Sequence, residues 1–281
     1  MGVRIIVDSS TDVAERYRDL VQAVPLTVTF GQEEYFDGVT LDKQEFYRKL
    51  VECDTLPTTS QATPAAFDRV FREIAAAGDS AVVLTLASTL SGTYQSAALA
   101  AEGYEHIYVV DSMTVAIGTG VLAEYAVELA KLGFDAEYIA RELTKKRDEV
   151  CVIALLDTLE YLKKGGRISK TVAFAGGVLN IKPVVTLKDG AVALIGKARG
   201  SRNGNNLLVE KINESGGVDF EKPVLLGYTG LSSALLDKYE ADSRALWEGH
   251  TEALDRCLMC CVIGTHAGPG AVAVAFFRKG S

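Results

Sequence analysis

Along the first half of the chain, uninterrupted apolar runs alternate with stretches in which apolar side chains recur every three or four positions. "RIIVD" (Arg4 to Asp8), "VPLTVTF", "SAVVLTLA" and "HIYVVDS" have no polar alternation and are rich in branched residues, the pattern of strands buried on both faces. Between them, "STDVAERYRDL", "LDKQEFYRKLVE", "AAFDRVFREIAAAG", "TYQSAALAAEG" and "TVAIGTGVLAEYAVELAKLG" predict helices. Hydroxyl and Asp caps open the first, and Pro64 suits the first turn of the third. "CDTLPTTSQATP" reads as a loop. Strands separated by helices predict an α/β domain with a parallel sheet.

After about Val150 the pattern changes. "VCVIALLD" predicts a strand, "LEYLKKGG" a short helix ended by glycines, and "SKTVAFAGGVLN" a helix built of small residues. In "KPVVTLKDGAVALIGKAR", Asp189-Gly190 between two apolar runs predicts a hairpin. "NNLLVEKINES" and "SSALLDKYEADSRALWEG" predict helices, and "KPVLLGYT", "CLMCCVIGT" and "GAVAVAFFRK" strands. A hairpin, later strands and segregated helices predict a mixed or antiparallel α+β domain. The expected division is residues 1–150 and 151–281.

Composition narrows the functions. A net charge of −8 argues against a nucleic-acid binder. Met1 to Asp8 lacks the apolar core of a signal peptide, and no apolar run is long enough to span a bilayer, so a cytoplasmic protein without stable membrane insertion is expected. The odd count of five cysteines predicts reduced thiols. "CLMCC" has a C-x-x-C spacing but no second ligand pair, so no metal site is expected and the thiols read as buried strand residues.

Three loops fall beyond the C-terminal ends of predicted strands, where parallel sheets bind ligands: "DSSTD", "TTSQ" and "STLSGT". In "LASTLSGTYQSA" the turn before a helix carries several hydroxyls around Gly92, which suits an anion at the free backbone amides of a helix start. Plain capping by Ser or Thr explains one such hydroxyl equally well. Ser91 as a nucleophile lacks the G-x-S-x-G turn. Of the three histidines, His106 and His250 read as solvated; His266, in the glycine-rich turn "IGTHAGPGA" between two predicted strands, is the one suited to face an anion. No P-loop or dinucleotide motif is present. The close glycines of "IGTGVLAEY" read as helix packing contacts, Lys163, Lys164, Arg167 and Lys170 as a solvated face or a docking patch, and Asp8 and Asp12 as caps.

Taken together, "IIVDSSTD", "PTTSQ", "STLSGTYQSA", "LEYLKKGGRIS", "IKPV" followed by "GKAR", and "IGTHAGPGA" resemble the DegV family, the bacterial fatty-acid-binding proteins of the FakB type. The resemblance covers nearly the whole chain. It implies a two-domain α/β protein that holds one long-chain fatty acid between its domains. Such a protein is not itself an enzyme and needs no cofactor; it presents the carboxylate to a separate fatty-acid kinase, which makes an acyl phosphate for phospholipid synthesis. By motif, the fatty-acid site comprises Thr59, Ser60, Ser91, Gly92 and His266, with Arg199 near the mouth and Arg202 following it. "SQATP" and "RGSRNGNN" depart from the family pattern, the second by lacking lysines after the arginine. A monomer is expected. The alternative is a hydrolase or acyltransferase using Ser91 with His266.

Overall fold

The computed structural model of the protein describes residues 2–169, 180–251 and 253–280. Strands β1 (Val3–Asp8), β2 (Val21–Val24), β3 (Thr27–Phe30), β4 (Glu33–Phe36), β5 (Thr58–Ser60), β6 (Ser80–Thr85) and β7 (Ile107–Asp111) make up the first half. Helices α1 (Lys43–Glu52), α2 (Pro64–Ala76), α3 (Thr93–Ala101), α4 (Ile117–Lys131) and α5 (Ala136–Lys146) accompany them. Asp42, Thr63 and Asp135 cap α1, α2 and α5 by accepting from the amides of Glu45, Ala66 and Tyr138. The main sheet has the order β2-β1-β6-β7 and is parallel throughout. Every residue of its central strand β6 is buried, as its unbroken apolar run requires.

Three details differ from the sequence pattern. "VPLTVTF" divides at Pro25, which has no N–H to give a ladder, so β2 stays in the parallel sheet while β3 joins a separate antiparallel sheet of order β4-β3-β5. β5 is the stretch expected as a loop, and it sets Thr59 opposite Val28. "STDVAERYRDL" forms only a 3-10 turn, Glu15–Leu20, because the preceding residues are already committed elsewhere: Asp12 to Lys43 and Cys260, and the Ala14 amide to Glu124. Helix α5, which the apolar pattern did not separate from its surroundings, covers β6 and β7.

The second sheet begins at β8 (Val150–Leu155) and continues after α6 (Glu160–Lys164) with β9 (Ile181–Lys188) and β10 (Ala191–Arg199). Then follow α7 (Ser201–Glu214), β11 (Val224–Tyr228), α8 (Ala234–Asp242), α9 (Arg244–Trp247), β12 (Asp255–Leu258), α10 (Cys261–Ala267) and β13 (Val272–Phe277). Its order is β10-β9-β8-β13-β11-β12, antiparallel except for the β11–β12 pair. The predicted hairpin is present, with Asp189 and Gly190 both at positive φ. The expected helix "SKTVAFAGGVLN" falls almost wholly at 170–179, outside the described residues.

One expectation is corrected with consequences for the site. "CLMCCVIGT" is not one strand: β12 stops at Leu258 and Cys261–Ala267 is helical. An apolar run this short does not distinguish a strand from a buried helix. Here two carboxylates decide it by accepting the free amides at the helix start.

The core is continuous across both sheets. Helix α4 lies between them, with Ile117, Val121 and Leu122 fully buried among Ile5, Val7, Val82 and Leu84 on one side and Val152, Leu225, Ala273 and Ala275 on the other. Gly120 makes this possible, because a Cβ there would lie 1.9 Å from the Asp12 carbonyl oxygen. The close glycines are packing contacts, as their setting in an apolar helix predicts. Replacing Gly120 with Ala should therefore cost about 1–3 kcal/mol of unfolding free energy. Gly103→Ala, where nothing lies within 4 Å, should stay within about 0.5 kcal/mol. Urea unfolding of the two variants checks this, and equal midpoints would contradict the packing account.

Candidate functional site

A cavity opens between the two sheets, concave and mostly apolar as small-molecule sites are. The first half contributes Leu26, Leu86, Val115 and Ile117, and the second Val152, Ala154, Val185 and Ala273. Most of the wall is aliphatic. The polar lining residues are Thr59, Ser60, Gln61, Ser91, Arg167 and His266, together with Thr186 on β9, whose hydroxyl donates to the Val152 carbonyl at 2.7 Å.

Each of these is placed by a different element. Asp8, at the end of β1, is fully buried and accepts from the Leu86 amide at 2.7 Å, which fixes the start of the Leu86–Ser91 loop. It also accepts from the Ser10 amide, so it acts as a clamp between strands as well as a local cap. Burial pushes its carboxyl up to about 6 despite these bonds. The loop ends at Ser91, and Gly92 is the N-cap of α3, a helix start with no side-chain cap. Ser91 Oγ nevertheless accepts from the first helical amide, that of Thr93, at 3.3 Å. Ser91 Oγ lies 2.9 Å from Thr93 Oγ1, and Thr93 is itself fully buried behind it.

Gly92 does not line the cavity; it admits the Gln61 side chain, since a Cβ at Gly92 would lie 2.1 Å from Gln61 Oε1. Gln61 Nε2 in turn donates to Ser96 Oγ at 2.9 Å.

His266 comes from the last turn of α10, not from a turn between two strands. The start of α10 is gripped by the other half of the chain. Asp12 accepts from the Cys260 amide at 3.1 Å and takes Lys43 Nζ at 2.7 Å. Asp37 accepts from the Cys261 and Val262 amides at 3.2 Å each. Asp12 is thus a tie between halves rather than a helix cap of its own segment. Although burial disfavours its charge, Lys43 is held above the ordinary lysine range by Asp12. The five cysteines are unpaired, and burial raises the thiols of Cys260 and Cys261. Among the described residues, no group of three or more His, Cys, Asp or Glu side chains is placed to hold a metal.

Thr59 Oγ1 and His266 Nε2 are 2.9 Å apart, a bond that joins β5 to α10. His266 Nδ1 is buried without a partner among the described residues. Burial, with the Arg167 charge adding to it, pulls the imidazole down to about 4, so the ring is neutral at pH 7.

Arg167 is not part of a solvated face. It lines the cavity, with Nε donating to the Leu90 carbonyl at 3.3 Å and Nη1 to the Gly165 carbonyl at 2.6 Å. The arginine therefore faces the polar end and steadies the residue before Ser91.

Of the residues expected from the sequence, Thr59, Ser60, Ser91 and His266 meet at one end of the cavity, and Ser60 is exposed there. Arg199 does not reach it. It stands exposed at the end of β10, next to the equally exposed Arg202. Gln61 and Arg167 were not singled out. Gln61 lies inside "TTSQ", whereas Arg167 stands among lysines whose sequence pattern reads as a solvated face or a docking patch. His250 is exposed but stacks on Phe220 at 4.2 Å between ring centroids.

The arrangement suits holding an anion better than making a nucleophile. Ser91 bonds to Thr93, while His266 bonds to Thr59, and among the described residues no acid orients His266 Nδ1.

A family model described as "Uncharacterised protein, DegV family" matches residues 2–279. A DegV domain-containing protein of Caldanaerobacter subterraneus subsp. tengcongensis is 35% identical, over 99% of both chains. A solved DegV family protein from Thermus thermophilus, described by its fatty acid binding, is 31% identical with a TM-score of 0.86, covering 99% of this chain and 100% of that one. A stearic acid-binding protein from Eubacterium ventriosum is 27% identical with a TM-score of 0.86, covering 99% of each chain.

The buried imidazole yields a direct test. In the ligand-free protein, the His266 ring should stay neutral as pH falls below 6.5 and take up its proton only near pH 4. Because the unfolded chain protonates first, His266 lowers stability progressively across that window. Nitrogen NMR of the ring reads the midpoint, and one near 6.5 would mean that the imidazole is solvated.

Proposed function

The chain belongs to the DegV family, and from that premise and the cavity we propose that it binds one long-chain fatty acid and presents the carboxylate to a separate kinase. The observation that carries this reading is the division of one cavity into a long aliphatic wall and a single polar end formed by Thr59, Ser91, Arg167 and His266. The two fatty-acid binders named above, alike in fold over their whole length, support the ligand class.

Energetics assign separate tasks to the two ends. Burying methylenes yields about 0.8 kcal/mol each, so a tail of ~15 carbons contributes on the order of 12 kcal/mol before the costs of binding. A carboxylate at a helix start gains about 0.3–1 kcal/mol, or about 2 when partly buried. The tail therefore supplies affinity and the head group supplies orientation. Ser91 Oγ–H and Thr59 Oγ1–H donate to the carboxylate, and the Arg167 charge offsets its own. A carboxylate beside His266 also favours the imidazolium, so loading raises the ring's affinity for a proton.

The protein acts as a carrier. The acyl-phosphate bond forms in the partner: a carboxylate oxygen attacks the γ-phosphorus of ATP, ADP leaves, and the acyl phosphate stays on the binder. Exposed Ser60 at the polar end supports access by that partner, and exposed Arg199 and Arg202 are assigned to docking rather than to the ligand. A single chain encloses the cavity, which supports a monomer. Among the described residues no helix is long and apolar enough to cross a membrane.

The purified protein, extracted with organic solvent, should release about one equivalent of a long-chain fatty acid by mass spectrometry. With a cognate kinase and ATP, hydroxylamine should trap the acyl phosphate. Thr59→Ala and Ser91→Ala should lower trapped product by ~10-fold or more while leaving the fold intact, as loss of a charged hydrogen bond implies. An empty protein whose esterase activity disappears in Ser91→Ala would overturn the reading in favour of a hydrolase.

A further inference from the structure

Two neighbouring positions at the start of α4 carry each other's expected residue. Ala116, just before α4, has φ 57° and ψ −128°, a conformation that glycine adopts freely and an L side chain does not. Gly118, two residues on, sits inside the helix, where a Cβ costs nothing in backbone terms. The space explains Gly118: a Cβ there would lie 2.3 Å from Val152 Cγ2 and from Thr114 Oγ1. Its absence brings Val152, a cavity residue, hard against α4.

The backbone of Ala116 is held from several directions. Its carbonyl accepts from the Gly120 amide at 3.0 Å and the Asp12 amide at 3.4 Å, and it bridges Thr11. Glycine would meet all these demands without strain. What glycine would not supply is the methyl group, and Ala116 is a lining residue flanked by Val115 and Ile117, which line the cavity too.

We propose that the Ala116 methyl sets the width of the acyl channel at this level, so that the site prefers an unbranched, extended chain over methyl-branched or cis-kinked ones. This rests on the fatty-acid reading above. The strain at Ala116 is tolerated because the methyl narrows a channel that Val152 also lines, on a wall that Gly118 has already let move in.

The test compares the unaltered protein with Ala116→Gly, a change the backbone accepts. Displacement of a fluorescent fatty acid measures Kd for a straight saturated acid, a methyl-branched acid and a cis-monounsaturated acid of equal carbon number. The melting temperature of the ligand-free variant should be equal to or above that of the parent. The preference for the straight chain should fall by ~10-fold, the scale of one methyl group in a tight apolar pocket. An unchanged preference in a folded variant overturns the proposal while leaving the fatty-acid reading standing. Failure of the unaltered protein to bind any of the three acids overturns both.

Discussion

Two buried carboxylates from the N-terminal half, Asp12 and Asp37, hold the first amides of a helix in the C-terminal half, and the site depends on that grip. Free amides at a helix start are costly to bury without acceptors, and here the acceptors come from elements more than two hundred residues away in sequence. The arrangement turns the apolar run after Leu258 into a helix and sends His266 from its last turn toward Thr59. Lys43 completes the grip by bridging Asp12 and the Leu258 carbonyl. With α4 buried between both sheets, this tie leaves the cavity bounded by both halves.

A division of labour follows from the same geometry. The aliphatic faces of β8, β9 and β13 meet the start of α4 and supply surface whose only chemistry is to exclude water. The polar end is small, and each of its groups is held by another protein group: Ser91 by Thr93, His266 by Thr59, Gln61 by Ser96, Arg167 by two carbonyls. Groups positioned this way orient an anion at little entropic cost. Burial and the Arg167 charge keep the His266 ring neutral at pH 7. A nucleophile would need the serine and the imidazole bonded to one another, and the structure spends both bonds elsewhere.

Much of this was legible along the chain. The parallel strands announced themselves as unbroken apolar runs, the hairpin as Asp189-Gly190, and part of the polar cavity lining as the hydroxyls near Gly92. What failed had a common cause in long-range polar contacts. Period and propensity cannot report that Asp12 and Asp37 cap a distant helix, so "CLMCCVIGT" read as a strand. Nor can they report that the Ala14 amide belongs to Glu124, which keeps "STDVAERYRDL" from becoming a helix. Arg167 was overlooked because a run of lysines around it carries the signature of a solvated face. Arg199, matched by motif to the mouth, stands exposed at the end of β10 and is not among the residues that line the cavity.

The account turns on where the carboxyl group of the bound acid sits. Carbon NMR of the protein loaded with a carboxyl-labelled C16 fatty acid reads this directly. One sharp carboxyl resonance is predicted, with proton contacts to His266 and Ser91 and no titration at the pH where a dispersed acid titrates. A resonance that titrates with bulk solvent and shows no contact to His266 would place the head group outside the polar end and contradict the account.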